Sequence, residues 1–209
     1  LVCLQPGGHG GLVHMSTIAT SELILGGQKS GKSRRAELLA RQWLAQSPAH
    51  RALLIATGQA WDDEMRERIA RHQRERATRV PGLATLEEPC DLAGALARHS
   101  APDTLVVVDC LTLWLTHWLM PAAAAPEYEP NRPSAQDWKA QAALFFEAIR
   151  QTPGPVVLVG NEIGLGVIPM GREVRAFVDA LGTLNQQAAQ ACERVTLMAA
   201  GLPLFLKNP

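Results

Sequence analysis

This 209-residue sequence predicts an α/β fold with a mainly parallel sheet covered by helices on both faces. Two observations carry the prediction. Short apolar runs at residues 23–25, 104–109 (TLVVVD) and 155–160 (PVVLVG) alternate with longer amphipathic stretches. Strands apolar on both sides belong in a sheet that is covered twice. The first run leads straight into Gly26-Gly27-Gln28-Lys29-Ser30-Gly31-Lys32-Ser33, which is G-x-x-x-x-G-K-[ST] set between a strand and a helix.

That motif dictates its ligand. Glycines let the backbone curl until several N–H groups point at phosphate oxygens. The helix that follows adds its positive N-terminal end. Lys32 is placed to reach the β- and γ-phosphates, and the Ser33 hydroxyl to ligate Mg²⁺. The fold class is therefore a single-domain P-loop NTPase-like three-layer sandwich over residues 19–209. Residues 1–18 are Gly-rich, show no periodicity and lack a secretory signal's basic and apolar regions. They read as a disordered leader or a cloning remnant.

The elements follow in order. Residues 22–25 are a short buried strand. Residues 32–46 form a helix with Ala36, Leu38, Leu39 and Leu44 as its apolar stripe. Residues 51–57 (RALLIAT) are a second strand. Residues 62–76 form a charged helix, with Asp62, Asp63 and Glu64 favourable at its N-terminus. A short strand at 83–88, a helix at 92–99 and the strand 104–109 come next. A Trp- and Leu-rich helix covers 110–120, with Trp114 and Trp118 four apart and best read as core. Residues 121–133 are rich in Pro and Ala and read as a surface loop. A helix starts at the Ser134-x-x-Asp137 signal and runs to about residue 151. The strand 155–160, a Gly-rich loop at 162–171 and a long helix at 172–193 follow. Strands at 195–200 and 204–206 close the chain, with a hairpin around residues 201–203.

Composition narrows the function. Lys+Arg and Asp+Glu balance at 20 each, which argues against a dedicated nucleic-acid binder. No apolar run approaches the ~20 residues of a membrane span. Cys3, Cys90, Cys110 and Cys192 form no C-x-x-C pair, so no zinc site is expected, and their spacing suits reduced thiols in a cytoplasmic protein.

Ligands of such sheets bind at the carboxyl ends of the strands, where Thr57, Asp109 and Asn161 fall. Asp109 either holds Mg²⁺ or caps the next helix. Glu162 is a general base, a partner for a substrate hydroxyl, or a cap for its own Gly-rich loop. His72 shares a helix face with Glu64 and Arg68, among Arg71, Arg74 and Arg76. From these residues alone, an exposed salt-bridged helix is the better account of that segment.

Taken together, GGQKSGKS at 26–33, IATGQAWDDEMRERIARH at 55–72, LEEP at 86–89, VVVDCLTLWL at 106–115 and VGNEIGLGVIP at 159–169 resemble the bifunctional adenosylcobinamide kinase/adenosylcobinamide-phosphate guanylyltransferase family. The resemblance spans residues 22–207. It implies that ATP or GTP phosphorylates adenosylcobinamide. GTP then gives GMP to an enzyme histidine and on to adenosylcobinamide phosphate, making adenosylcobinamide-GDP. The R-I-x-x-H match puts that histidine at His72, reversing the local reading. The resemblance implies nucleotide contacts at residues 26–33 (Gly26, Gly27, Gln28, Lys29, Ser30, Gly31, Lys32, Ser33), at Thr57, Gly58 and Gln59, at Gln73, Arg74, Glu75 and Arg76, and at Glu87 and Asp109. It also implies Mg²⁺ at Ser33 and Asp109, and a homotrimer. Three features depart from the family pattern: Leu83 stands where many members carry Trp, the segment between His72 and Glu87 is a few residues longer than in some relatives, and residues 121–133 have no clear counterpart. The competing functions are a single-activity P-loop small-molecule kinase, which has no use for His72, and a regulatory NTP-binding module.

Overall fold

A computed structural model of the chain describes residues 18–60, 62–120 and 137–209. The leader through residue 17, the loop at 121–133 and the start of the Ser134 helix signal lie outside the described residues. Ile18, assigned to the leader, is partly buried against the core beneath the first helix.

The described residues form β1 (Ser21–Gly26), α1 (Lys32–Gln46), β2 (Arg51–Ala56), α2 (Asp63–Arg79), β3 (Leu83–Glu87), α3 (Leu92–His99), β4 (Thr104–Asp109), α4 (Leu111–Leu119), α5 (Trp138–Gln151), β5 (Val156–Asn161), α6 (Arg172–Ala191), β6 (Arg194–Ala199) and β7 (Leu202–Lys207). One sheet contains all seven strands, in the order β3-β2-β4-β5-β1-β6-β7. Each neighbouring pair is parallel except β6 and β7. Their apolar runs place β1, β4 and β5 in the interior of the sheet, where neither face meets water. Leu23, Ile24, Val106, Val108, Val156 and Leu158 are all fully buried.

The two faces carry different cores. Residues of α3, α4, α5 and α6 cover one. There Trp114 is fully buried, lies edge-on to Trp118 with ring centroids 6.0 Å apart, and donates from Nε1 to Cys90 O at 2.9 Å. Both tryptophans are therefore core, as their spacing predicts. The opposite face is covered by Ala36, Leu39 and Ala40 of α1, joined by Val80 just after α2. This is the three-layer sandwich read from the sequence. Among the described residues, no helix is long and apolar enough to cross a membrane.

Most boundaries fall within one or two residues of the sequence reading, and two differences have a visible cause. First, α2 runs three residues further, to Arg79, whose guanidinium pairs with Glu37 of α1 (Nε–Oε2 2.8 Å). A partner 42 residues away leaves no local signal. Second, the final hairpin turns at Ala200-Gly201 rather than around residues 201–203. Both turn residues have left-handed backbones, φ 51° and 80°, the arrangement that matches strand twist in a two-residue loop. Pro203 then falls inside β7, and a sheet edge tolerates a residue that cannot donate.

Candidate active site

The parallel register brings four strand ends to one edge. Gly26 pairs with Asn161, Ala56 with Asp109, and Asp109 with Val159. The phosphate loop leaves from Gly26 at the end of β1, with β5 on one side and β6 on the other.

The loop's shape depends on two glycines. Gly26 has φ 155°, and a Cβ there would sit 2.5 Å from both Met198 O and Ser30 Oγ. Gly31 has φ 101° and caps the N-terminus of α1, and its Cβ would press on Gly201 Cα at 3.3 Å. The β6–β7 turn braces the loop at that point, since Gly201 N donates to Ser30 O at 3.0 Å. Behind the loop, buried Glu22 of β1 accepts from Arg35 Nε (2.9 Å) and Thr196 Oγ1 (2.8 Å). That paired charge ties β1 to α1 and β6. The first turn of α1 carries no acid, so its positive end is left to an anionic ligand. The buried Ser30 hydroxyl has no hydrogen-bond partner among the described residues, as suits a group available to a ligand oxygen.

Lys32 is buried, and its Nζ donates to Gly27 O at 2.6 Å across the loop. Burial lowers its pKa, and nearby Cys110 and Asp109 partly offset that. Burial pushes the Asp109 carboxyl up. The Ser33 hydroxyl, which hydrogen-bonds to it, pulls it back down, as do the charges of Arg76, His72 and Lys32. Asp109 therefore faces the phosphate loop and does not cap α4, which starts from Cys110 with no side-chain cap. Ser33 and Asp109 present two adjacent hard oxygen donors. This set fits Mg²⁺, which takes few protein ligands and fills the rest of its octahedron with phosphate and water.

The charged helix α2 is seated against this centre. Asp62 starts it, with Oδ1 accepting from Met65 N at 2.7 Å. Arg76 turns inward and is buried, while His72 stays exposed at the rim, close enough to act on Asp109. Gln73 Nε2 reaches Glu87 Oε1 at 3.5 Å, joining α2 to the end of β3. Arg74 and Glu75 are exposed, and Glu75 pairs with Arg79 (3.4 Å) rather than with the centre. Gln28 and Lys29 are exposed on the loop.

Other candidate residues bond within the protein. The Thr57 hydroxyl is fully interior: it donates to Cys110 O (2.7 Å) and accepts from Cys110 N (2.9 Å). It clamps the backbone just after Asp109. Thr57→Val keeps the shape but strands Cys110 N, while Cys110 O keeps its bond from Trp114 N (3.1 Å), so a loss of about 1–3 kcal/mol is expected, read as a lower urea midpoint. Gln59 Oε1 meets His117 Nδ1 at 3.2 Å, and His117 Nε2 meets Cys90 Sγ at 3.0 Å. Glu162 caps its own loop: Oε1 accepts from Gly164 N (2.8 Å) and Oε2 from Asn185 Nδ2 (3.5 Å). Sequence reasoning missed Thr112 and Asn185, which hold the end of β5 through Asn161 N and O at 2.9 and 3.0 Å. A buried polar residue facing a strand end was the one signal available for them.

Comparison with known proteins identifies the family. A family model described as cobinamide kinase / cobinamide phosphate guanyltransferase matches residues 22–206. The bifunctional adenosylcobalamin biosynthesis protein CobP of Pseudomonas aeruginosa is 46% identical over 188 residues, which cover 90% of this chain and 97% of that protein. The bifunctional adenosylcobalamin biosynthesis protein CobU of Salmonella typhimurium is 33% identical over 192 residues, covering 88% and 98%. Its Escherichia coli namesake is 33% identical over 187 residues, with the same coverage. With its phosphate loop, its facing acid and its histidine-bearing helix, this chain belongs to the cobinamide kinase / cobinamide phosphate guanyltransferase family.

Proposed function

We propose that this protein phosphorylates adenosylcobinamide with ATP or GTP and then, using GTP, converts the product to adenosylcobinamide-GDP through a guanylylated His72. The observation that carries this reading is the convergence of Lys32, His72 and Arg76 on Asp109, whose carboxyl is hydrogen-bonded by Ser33 of the phosphate loop. One centre then serves both reactions.

In the first reaction the acceptor hydroxyl oxygen bonds to the γ-phosphorus, and the bond to the departing nucleoside diphosphate breaks. Lys32 and the loop amides hold the charge on the phosphate oxygens. In the second, a ring nitrogen of His72 bonds to the α-phosphorus of GTP and pyrophosphate leaves. An oxygen of the acceptor's phosphate then takes the GMP, the N–P bond breaks and the histidine is restored. Two easier displacements replace one. Arg76 supplies positive charge where the α-phosphate reacts. Mg²⁺ held by Ser33 and Asp109 neutralises phosphate charge when bound.

The resemblance also supports a homotrimer. The apolar edge strand β7, exposed along its length, is suited to a subunit contact, and sedimentation equilibrium tests the assembly. Intact-protein mass after incubation with GTP and Mg²⁺ tests the function. An acid-labile GMP adduct that disappears when cobinamide phosphate is added is the expected result. Bound GTP with no adduct would favour the single-activity kinase instead.

A further inference from the structure

Between β5 and α6, residues 163–171 read Ile-Gly-Leu-Gly-Val-Ile-Pro-Met-Gly, without one charge. Leu165, Val167, Ile168 and Met170 are 81%, 96%, 77% and 95% exposed. Four large apolar side chains standing in water on one loop mark a binding surface. The loop is also held in shape. Glu162 N donates to Gly26 O (3.0 Å), Glu162 Oε1 accepts from Gly164 N (2.8 Å), and the Arg175 guanidinium donates to Pro169 O (2.9 Å) and Met170 O (2.5 Å).

Its position selects the occupant. β5 lies between β4 and β1 in the sheet, so the loop rises between Asp109 and the phosphate loop, joined to Gly26 itself. A molecule resting on it has one end at the reacting phosphates. A second copy of the chain has a better surface elsewhere, in the unpaired backbone edge of β7 with exposed Leu202, Leu204, Phe205 and Leu206. A corrin is a broad disc with a methyl-studded rim and a face too large for a narrow cleft.

We propose that the loop at residues 163–170 is the platform for the corrin macrocycle of the acceptor. Leu165, Val167, Ile168 and Met170 lie against the ring, and the side arm that carries the hydroxyl reaches to the phosphate loop. This assignment rests on the cobinamide reading above.

The test is a Val167→Ser/Met170→Ser double variant, assayed beside wild type for cobinamide phosphorylation, GTP-dependent adduct formation and sedimentation mass. Both side chains are in solvent, so folding is not at stake. The KM for cobinamide is expected to rise about tenfold or more, with the KM for nucleotide, the adduct and the mass unchanged. In the wild type, cobinamide should slow peroxide oxidation of Met170, read by peptide mass, and GTP alone should not. An unchanged cobinamide KM overturns the proposal. So does a raised KM accompanied by loss of assembly, which makes the loop a subunit contact. A wild-type protein that phosphorylates cobinamide and forms the GMP adduct, with no change of cobinamide KM in the variant, overturns the loop assignment alone, whereas one that forms the adduct but binds no cobinamide overturns the cobinamide reading and the loop with it. One that forms neither adduct nor phosphorylated product overturns the function beneath it.

Discussion

His72→Ala should abolish GMP transfer while leaving phosphorylation of cobinamide close to wild type. His72 is exposed at the rim of the centre, so its loss removes no core packing and stability should stay within about 0.5 kcal/mol. What disappears is the nitrogen that attacks the α-phosphorus. Removing a nucleophile from a site that otherwise still binds costs at least about 10³-fold in rate. Phosphoryl transfer needs the loop amides, Lys32, Ser33 and Asp109, and His72 acts on that set through its charge at Asp109. Intact-protein mass reads the first effect, and ATP-dependent conversion of cobinamide to its phosphate reads the second. Equal loss of both activities would mean that His72 serves the nucleotide site as a whole. Survival of the adduct would exclude it as the attacking group.

Lys32→Ala should remove both activities together, by about 10²–10³-fold in each rate. Lys32 Nζ lies across the loop on Gly27 O, and its charge acts on Asp109, so one ammonium serves the phosphates in either reaction. The fold should survive, because burial already disfavours that charge and alanine relieves the cost. Circular dichroism and the melting temperature should be nearly unchanged while nucleotide binding weakens. Lys32→Arg should not rescue, since a planar fork cannot occupy a point donor's place in a tight loop. A variant that loses only one activity would show that the two reactions use different phosphate sites.

Much of this molecule could be read from neighbouring residues. TLVVVD becomes β4 because β-branched side chains crowd a helix and fill a sheet. The Gly26–Ser33 segment becomes a loop because two of its glycines adopt backbones that a Cβ would forbid. Asp62 starts α2 because its side chain reaches Met65 N three residues on. In each case cause and effect lie within a turn or a strand of one another. The roles of several predicted contacts were less legible. Thr57 falls at a strand end, which reads as ligand binding, and Glu162 reads equally as a ligand partner or as a cap for its own loop. The structure shows the Thr57 hydroxyl bonded to Cys110 and Glu162 in the capping role, bonded to Gly164 and Asn185. A polar side chain looks the same in a sequence whether its partner is a substrate or the protein's own backbone.

The sequence by itself determined the class of fold, the phosphate loop and most element boundaries, because backbone preference and hydrophobic period act between residues close in the chain. The tertiary structure alone decided that α2 carries Arg76 and His72 to Asp109, that Arg79 prolongs that helix by pairing with Glu37, and that an apolar loop rises beside Gly26. Those outcomes depend on strand order and on packing between segments tens of residues apart. Local spacing does not record such distances.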